Sequence, residues 1–257
     1  MLEFAGQVVV VSGAAQGIGA AVVAEMAAQG ALLALLDQQD CSAQVAQLDA
    51  AGVRAINIVL DISASADVAQ AIAQIEAELG PIAVLIHAAG ILQMGSLLHM
   101  DEEAWDRLFA VNVKGCWLLC RACANAMAAR QQGAIVSISS NAAHVPRLQM
   151  GAYAASKAAH SHLLRCLGLE LAALGIRCNS VAPGSTLTPM QQQLWDSTNS
   201  AQEVIAGSLA NYRLGIPLAR MAEAADIAQA ACFLASTKAR HITMQELVVD
   251  GGATLGV

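Results

Sequence analysis

Residues 8–28 read VVVVSGAAQGIGAAVVAEMAA, an apolar run followed by three closely spaced glycines and an alanine-rich segment. A buried strand that turns tightly into a helix is typical of this order. One glycine permits the turn, another lets the backbone approach a pyrophosphate, and the third lets the helix pack on the strand. The N–H groups at the helix start then face the anion. A tight turn without a ligand is the alternative. The residues expected to contact a dinucleotide are Gly13, Gln16, Gly17, Ile18 and Gly19.

Apolar runs of three to six residues recur between longer, alanine-rich stretches that have helical character. Continuous rather than alternating apolar strands are typical of parallel strands covered on both faces. Right-handed crossovers between such strands build a doubly wound sheet. We therefore predict one Rossmann-type α/β domain over residues 1–257, with about seven parallel strands and helices on both faces. The runs lie at 8–11, 31–36, 55–60, 82–86, 134–138, 176–181 and 247–249.

One stretch breaks this alternation. Residues 184–215 are polar and rich in Gln, Ser and Asn, and they form a long connection for a compact domain. Long loops of this kind often close over a bound ligand. We therefore expect residues 184–215 to form a substrate loop or lid.

Composition excludes several classes of protein. With 56% hydrophobic and 13% charged residues, the chain has enough apolar side chains for a large core, so disorder is excluded. The net charge is −7 and no window concentrates Lys and Arg, so we expect no nucleic-acid partner. Seven cysteines without framework spacing favour a reducing compartment.

The apolar segment 8–28 is not predicted to span a membrane. Ser12, Gln16 and Glu25 interrupt it, and three glycines lie at its centre. Glu3 stands where a signal peptide would carry a positive charge. We therefore expect a cytoplasmic protein with no membrane partner.

Two aspartates follow predicted strands. Asp37 ends the second strand, eighteen residues after Gly19, where a carboxylate accepts hydrogen bonds from the adenosine ribose. Because that carboxylate repels a 2′-phosphate and no Arg or Lys follows it, the pattern favours NAD over NADP. Asp61 follows the third strand, where it either holds the adenine amino group or caps a helix over residues 63–79.

Tyr153 and Lys157 are four residues apart, which places a phenol and an ammonium on one helical face. A nearby cation favours the phenolate, so we expect the pKa of Tyr153 to fall and the residue to exchange a proton with a substrate hydroxyl. An incidental surface pair is the alternative.

The chain resembles the short-chain dehydrogenase/reductase family over its whole length. The resemblance rests on the glycine loop, the Tyr153-x-x-x-Lys157 pair and Ser140, thirteen residues before the tyrosine. It implies that Ser140, otherwise a helix cap, hydrogen-bonds the reacting oxygen. Lys157 would also hold the nicotinamide ribose, and Asn112 would anchor a water relay to Lys157.

Other family positions extend the implied cofactor site. Thr188 would contact the nicotinamide carboxamide, and His87 departs from the family, which usually has Asn there. His87 is either an acid/base group or, as we favour, a structural hydrogen-bonding residue. The remaining matching positions are Ala89, Gly90, Pro183 and Gly184.

A narrower resemblance points to family members that oxidise a cyclohexadiene diol carboxylate to a catechol in siderophore biosynthesis. Its segments lie at 88–95, 142–147, 177–179, 183–186, 190–191, 194–195, 214–218, 241–243 and 249–252. The substrate implied is a small cyclic diol carboxylate.

Several residues suit such a substrate. Arg147 lies between Ser140 and Tyr153, where its guanidinium can pair with a carboxylate. His144 either touches the substrate hydroxyl or stabilises the loop. Relatives can carry Arg at Gln93, so a second cation is expected to be missing. The apolar wall for the ring is predicted to include Met94, Met150, Met190 and Trp195, with core packing as the alternative.

Cys116, Cys120 and Cys123 share one helical face of a helix predicted to begin near Asp101. The stripe has no further ligand nearby in the sequence, so we expect packed thiols and no metal site. By family resemblance this helix and the helix that bears Tyr153 form the interface of a homotetramer. The stripe faces either the core or that partner.

Three other functions compete with this interpretation. The same reaction type on dihydro-3-hydroxyanthranilate uses almost the same site. A 3-oxoacyl thioester reductase would need NADPH and a basic patch for a carrier protein, which Asp37 and the negative charge disfavour. A dinucleotide-sensing module would typically lose the Tyr153–Lys157 pair, which is intact here.

Overall fold

The computed structural model describes residues 2–193 and 200–256. The strands are β1 Val8–Ser12, β2 Leu32–Asp37, β3 Ala55–Val59, β4 Ile82–His87, β5 Gly133–Ile138, β6 Ile176–Pro183, β7 Thr186–Leu187, β8 Ala222–Glu223 and β9 Glu246–Val249. The α-helices are α1 Gly17–Ala28, α2 Ser42–Ala50, α3 Ser65–Glu78, α4 Glu102–Phe109, α5 Cys116–Ala128, α6 Gly151–Ala172, α7 Pro189–Gln192, α8 Ala201–Ala206 and α9 Ala224–Ala235.

Seven parallel strands form one sheet in the order β3-β2-β1-β4-β5-β6-β9. The strand order reverses between β1 and β4, and in open α/β sheets ligands bind at the carboxyl ends of the strands at such a point. Each of the seven predicted apolar runs overlaps one of these strands, so the predicted doubly wound α/β fold is confirmed.

Helices cover both faces of the sheet with apolar side chains. One core layer joins the sheet to α3, α5 and α6, and the other joins it to α1 and α9. Cys116, Cys120 and Cys123 belong to the first layer and are fully buried. The cysteine stripe therefore faces the core, which decides between the two orientations that the sequence left open.

The helix predicted to begin near Asp101 is interrupted. Asp101 caps α4 by accepting a hydrogen bond from the Ala104 N–H at 2.7 Å. Residues Ala110–Gly115 then form a π-helix before α5 begins. Because π-helical segments widen the turn and often occur at functional sites, this interruption carries Asn112 to the position described below.

The segment 184–215 contains short elements rather than loop alone. β7 pairs with β8 in a second, two-stranded sheet, and α7 and α8 lie in the same segment. No helix among the described residues is both long enough and apolar enough to cross a membrane.

Candidate active site

The glycine loop between β1 and α1 is shaped by close backbone contacts. A Cβ on Gly19 would lie 1.9 Å from the Gly13 carbonyl oxygen, and a Cβ on Gly13 would lie 2.7 Å from the Ala89 nitrogen. Gly17 begins α1 with a φ of +57°, a conformation that favours glycine. Side chains are therefore excluded at these glycines, and the backbone N–H groups at the start of α1 stay open. A pyrophosphate site requires such open N–H groups.

A cavity of about 270 Å³ opens beside this loop. Asp37 is the only charged residue among the described residues that line it. Its carboxylate accepts hydrogen bonds from the Ala15 N–H at 3.0 Å and the Gln39 N–H at 2.9 Å. The other predicted cofactor residues in the lining are Gly13, Gln16, Gly17, Ile18, Gly19, Ala89, Gly90 and Thr188.

Asp61 is not among the residues that line this cavity, although Leu60 and Ile62 are. Its carboxylate accepts a hydrogen bond from the Ser63 N–H at 2.8 Å, and this bond lowers its pKa. Of the two roles left open by the sequence, the helix cap is wrong, because α3 begins at Ser65 with Ala64 as its N-cap. Asp61 instead holds a turn that precedes the helix.

A second cavity of about 480 Å³ is lined by three of the four predicted catalytic residues, and Asn112 is not in its lining. Tyr153 and Lys157 project from the first turns of α6, and Ser140 follows β5. The Ser140 hydroxyl accepts a hydrogen bond from the Ala142 N–H at 3.1 Å. Ser140 therefore caps the short 3-10 turn Asn141–Ala143 and also lines the cavity. Pro183 and Gly184 line this cavity too.

The expected fall in the pKa of Tyr153 was wrong for this structure. Burial raises the pKa of the phenol, and the neighbouring Ser140 hydroxyl lowers it by less. The Lys157 Nζ lies 6.0 Å from the tyrosine ring centroid and donates a hydrogen bond to the Ile138 carbonyl at 2.9 Å. The ammonium is turned toward that carbonyl, so desolvation has the largest effect on the pKa of the Tyr153 phenol.

Lys157 is itself strongly perturbed. Burial lowers its pKa to about 8, although Cys116 and Glu246 oppose the shift. A buried ammonium loses solvation, which favours the neutral amine. The residue can therefore gain or lose a proton near neutral pH.

Asn112 joins three parts of the site. Its Oδ1 accepts a hydrogen bond from the Ile91 N–H, and its Nδ2 donates to the Ile91 carbonyl, both at 2.9 Å. The same Nδ2 donates to the Ser156 hydroxyl at 3.0 Å. The side chain thus ties the segment after β4 to α6, next to Lys157.

Besides Ser140, four of the predicted substrate residues line the larger cavity: Met94, Arg147, Met150 and Met190. His144 does not line it. Its Nε2 lies 3.1 Å from Glu246, whose carboxylate also contacts Ser161 and Arg165. The predicted substrate contact of His144 is not supported by this geometry, because Glu246 holds the ring away from the cavity. Trp195 lies outside the described residues.

Arg213 also lines this cavity and was not predicted. It lies close enough to Arg147 that its charge, after the larger effect of burial, lowers the pKa of Arg147. Within the described residues, neither guanidinium has a carboxylate at ion-pair distance. The signal that could have found Arg213 is that it is the only basic residue in 184–215.

The wall behind Ser140 is completed by the segment after β9. The Asn141 Nδ2 donates to the Asp250 carboxylate at 3.3 Å, and Thr254 donates to the same carboxylate through its hydroxyl at 2.7 Å. A Cβ on Gly184 would lie 2.6 Å from the Asp250 Cβ. Residues near 140, 184 and 250 therefore pack as one unit.

Comparison with known proteins supplies the family. The family model described as Enoyl-(Acyl carrier protein) reductase matches residues 13–254. A 2,3-dihydro-2,3-dihydroxybenzoate dehydrogenase of Bacillus subtilis is 46% identical over 98% of this chain and 97% of its own. A short-chain type dehydrogenase/reductase of Mycobacterium marinum superposes with a TM-score of 0.90 at 29% identity, covering 98% and 97% of the two chains. The chain belongs to the short-chain dehydrogenase/reductase family.

A third relative bears on the substrate. The vibriobactin-specific 2,3-dihydro-2,3-dihydroxybenzoate dehydrogenase of Vibrio cholerae is 54% identical over 171 residues, which are 66% of this chain and 65% of that protein. As a member of the short-chain dehydrogenase/reductase family, this chain is an oxidoreductase that uses a nicotinamide cofactor. The bare glycine turn and the cavity beside it fit such a dinucleotide.

His87 departs from the family pattern and is fully buried at the end of β4. Its Nδ1 lies 2.8 Å from the Ser12 hydroxyl, which in turn accepts a hydrogen bond from the Ala89 N–H at 3.4 Å. His87 lines neither cavity. This geometry agrees with a structural hydrogen-bonding residue and gives no support to acid/base chemistry.

Proposed function

We propose that this chain oxidises 2,3-dihydro-2,3-dihydroxybenzoate to 2,3-dihydroxybenzoate with NAD, in the biosynthesis of a catechol siderophore. The proposal draws on relatives that carry this activity in their names, among them those of Bacillus subtilis and Vibrio cholerae. The observation that carries it is the pair of arginines, Arg147 and Arg213, in the cavity that also contains Tyr153 and Ser140. Seven free cysteines support a reducing compartment such as the cytoplasm.

NAD is proposed as the cofactor because of the charge around Asp37. The 2′-phosphate of NADP would meet this carboxylate in a lining without Lys or Arg among the described residues. The 2′-hydroxyl of NAD would instead donate to it. When bound, the nicotinamide accepts the hydride. The residues that would hold the cofactor are Gly13, Gln16, Gly17, Ile18, Gly19, Asp37, Ala89, Gly90, Tyr153, Lys157, Pro183, Gly184 and Thr188; Asp61 would lie at the edge of that site.

Tyr153 is proposed as the general base. Its phenol oxygen takes the proton from the C3 hydroxyl, and Ser140 donates a hydrogen bond to the same substrate oxygen. Lys157 stabilises the negative charge on the phenol, and Asn112 holds the backbone beside Lys157 in place. The ring product then tautomerises to the catechol, and the aromaticity that this step gains opposes the reverse reaction.

Arg147 and Arg213 are proposed to bind the substrate carboxylate. Two guanidinium charges in one partly buried cavity repel each other, and an anion bound between them would offset that repulsion. Guanidinium groups pair with carboxylates through two parallel hydrogen bonds, which would fix the ring with C3 toward Tyr153. Met94, Met150 and Met190 supply an adaptable apolar wall. Residues 184–215 contribute several cavity residues besides Arg213, in keeping with a substrate loop.

The test compares NADH formation from the dihydrodiol with that from cyclohexanol and from a dihydrodiol that lacks the carboxylate. We expect kcat/KM for the carboxylated diol to exceed the others by at least about a hundredfold, because each charged hydrogen bond is worth about 1.5–3 kcal/mol. Equal values for all three would remove the substrate assignment.

Variants sharpen the same test. Arg147→Gln and Arg213→Gln should each raise KM for the carboxylated diol by about tenfold or more and leave kcat/KM for the uncharged diol unchanged. Arg240→Gln is the matched control, because Arg240 is exposed and lines neither cavity. A loss that affects both diols equally would contradict the role proposed for the arginines.

A further inference from the structure

A loop over residues 144–150 joins the 3-10 turn after β5 to α6, and it carries Arg147 into the larger cavity. Its far end is held by the Gly95 N–H, which donates a hydrogen bond to the Gln149 carbonyl at 2.8 Å. In the rest of the loop, within the described chain, only His144 makes a hydrogen bond through its side chain. The position of Arg147 therefore depends on how firmly His144 is held.

The carboxylate of Glu246 holds His144 from the edge strand β9. The Glu246 side chain is only 4% exposed, and its Oε2 lies 3.1 Å from the His144 Nε2. The same carboxylate contacts two residues of the catalytic helix α6. It lies 3.1 Å from an Arg165 nitrogen and accepts a hydrogen bond from the Ser161 hydroxyl at 2.8 Å. The His144–Glu246 contact, called the loop anchor below, therefore fastens the loop to α6.

Two features of the site would displace Arg147 if the loop anchor were lost. Gln149 has a φ of +63°, a backbone conformation that L side chains rarely adopt and that neighbouring contacts must impose. Burial has the largest effect on the pKa of Arg147, and the charge of Arg213 lowers that pKa further. The two guanidinium groups therefore repel each other. A loop without its anchor would move Arg147 away from Arg213 and out of its place in the cavity.

We propose that His144 and Glu246 are positioning residues for the substrate carboxylate, because their contact holds Arg147 where it can bind that group. The inference rests on the proposed function, since it deepens the role given to Arg147 there. Neither His144 nor Glu246 lines either cavity, so both act through the loop and not by touching the substrate. The loop anchor should therefore affect substrate binding and leave the chemical step at Tyr153 unchanged.

His144→Ala removes the loop anchor and leaves the buried Glu246 carboxylate with its two partners on α6. We expect KM for the carboxylated diol to rise about tenfold, because a displaced guanidinium loses its charged hydrogen bonds to the carboxylate. The kcat for this diol, and kcat/KM for a diol that lacks the carboxylate, should stay at the parent values. His144→Gln should recover most of the loss, because its amide N–H can donate to the same carboxylate. His162→Ala is the matched control, since His162 is exposed on α6 and lines neither cavity.

A double-variant cycle shows whether the effect passes through Arg147. Residues that act as one unit give non-additive effects, whereas independent residues give additive ones. In the Arg147→Gln background, His144→Ala should therefore raise KM for the carboxylated diol no further. A full additional increase in that background would overturn the proposal, because His144 would then act on the substrate by another route.

Hydrogen exchange of the backbone amides of residues 142–150 tests the loop anchor without any substrate. Exchange should be faster in His144→Ala than in the parent and in His162→Ala. If it is faster but the parent does not prefer the carboxylated diol, the loop anchor is supported and the proposed function has failed. If exchange is unchanged while the parent clearly prefers the carboxylated diol, the loop anchor alone is overturned.

Discussion

At the residue scale, the pKa of Tyr153 depends on the balance between desolvation and the hydrogen bond of the Ser140 hydroxyl. Burial raises the pKa of the phenol and Ser140 lowers it. Since oxidation needs the phenolate, kcat/KM should rise with pH across the acid limb of the profile. In Ser140→Ala the lowering contribution is lost, so this limb should move to higher pH.

The measurement is the pH profile of kcat/KM for diol oxidation, with Ser139→Ala as control. Ser139 lines the same cavity and contacts Ser161 rather than the phenol. If Ser140→Ala lowers the maximal kcat/KM but leaves the pH midpoint of the acid limb unchanged, the result contradicts this role of the hydroxyl.

Asp37 carries the prediction for cofactor choice. In Asp37→Ser the carboxylate that would repel a 2′-phosphate is removed, so kcat/KM with NAD should fall by about tenfold while that with NADP rises. Steady-state kinetics with both cofactors measure the change in preference. Asp40→Ser is the control, because Asp40 is exposed three residues away and does not line the cavity; a shift of the same size there would show a general charge effect.

At the scale of elements, the π-helical segment Ala110–Gly115 fixes the site through one side chain. Asn112→Ala would leave the Ile91 N–H and carbonyl without their buried partner. We expect a loss of about 3 kcal/mol in the free energy of unfolding, equivalent to a fall in Tm of roughly 6 °C or more. Activity should fall as well, because Lys157 packs beside this segment.

Thermal unfolding followed by circular dichroism measures this effect. Asn125→Ala is the control, because Asn125 is an exposed asparagine on the adjoining helix α5. If Asn112→Ala has the same Tm as the parent, the prediction is wrong, and the hydrogen bonds of the Asn112 amide contribute little to the free energy of unfolding.

Most elements could be predicted because their signals are local. The seven apolar runs and the glycine turn each reflect the burial of a short, continuous segment. The π-helix could not be predicted, since apolar periodicity is similar on either side of the interruption. The His144–Glu246 contact also escaped, because these residues are distant in sequence and meet only in the fold. Arg213 was missed although its isolation as the only basic residue in 184–215 was a usable signal.

The direction of the Tyr153 shift shows a second limit of the sequence. Spacing alone placed Lys157 on the same helical face, which is correct, but it could not give the orientation of the ammonium or the burial of the phenol. The pairing of Tyr153 with Lys157 on one helical face was therefore predicted correctly, and the pKa of the phenol was not.

At the scale of the whole molecule, the exposed apolar residues bear on assembly. Trp117 on α5 and Leu169 on α6 are 39% and 70% exposed, on the two helices that family resemblance places in a subunit interface. We predict a homotetramer, with a mass in solution four times the 26.4 kDa of the chain.

Light scattering coupled to size-exclusion chromatography measures this mass. Leu169→Glu should shift the protein to smaller species, because a charge would be buried at the interface. Leu2→Glu, at a residue that is 58% exposed and lies outside both helices, should leave the mass unchanged. A parent chain that elutes as a monomer would refute the prediction.

The contact between Asn141 and Asp250 has a consequence for the order of events during synthesis. The ribosome delivers Ser140, Tyr153 and Lys157 long before Asp250, yet the wall behind Ser140 needs the Asp250 carboxylate. A nascent chain can therefore carry its whole catalytic set and still lack a finished pocket. We therefore expect turnover to begin only when the segment after β9 has left the exit tunnel and docked, and a fragment stalled before it to be inert.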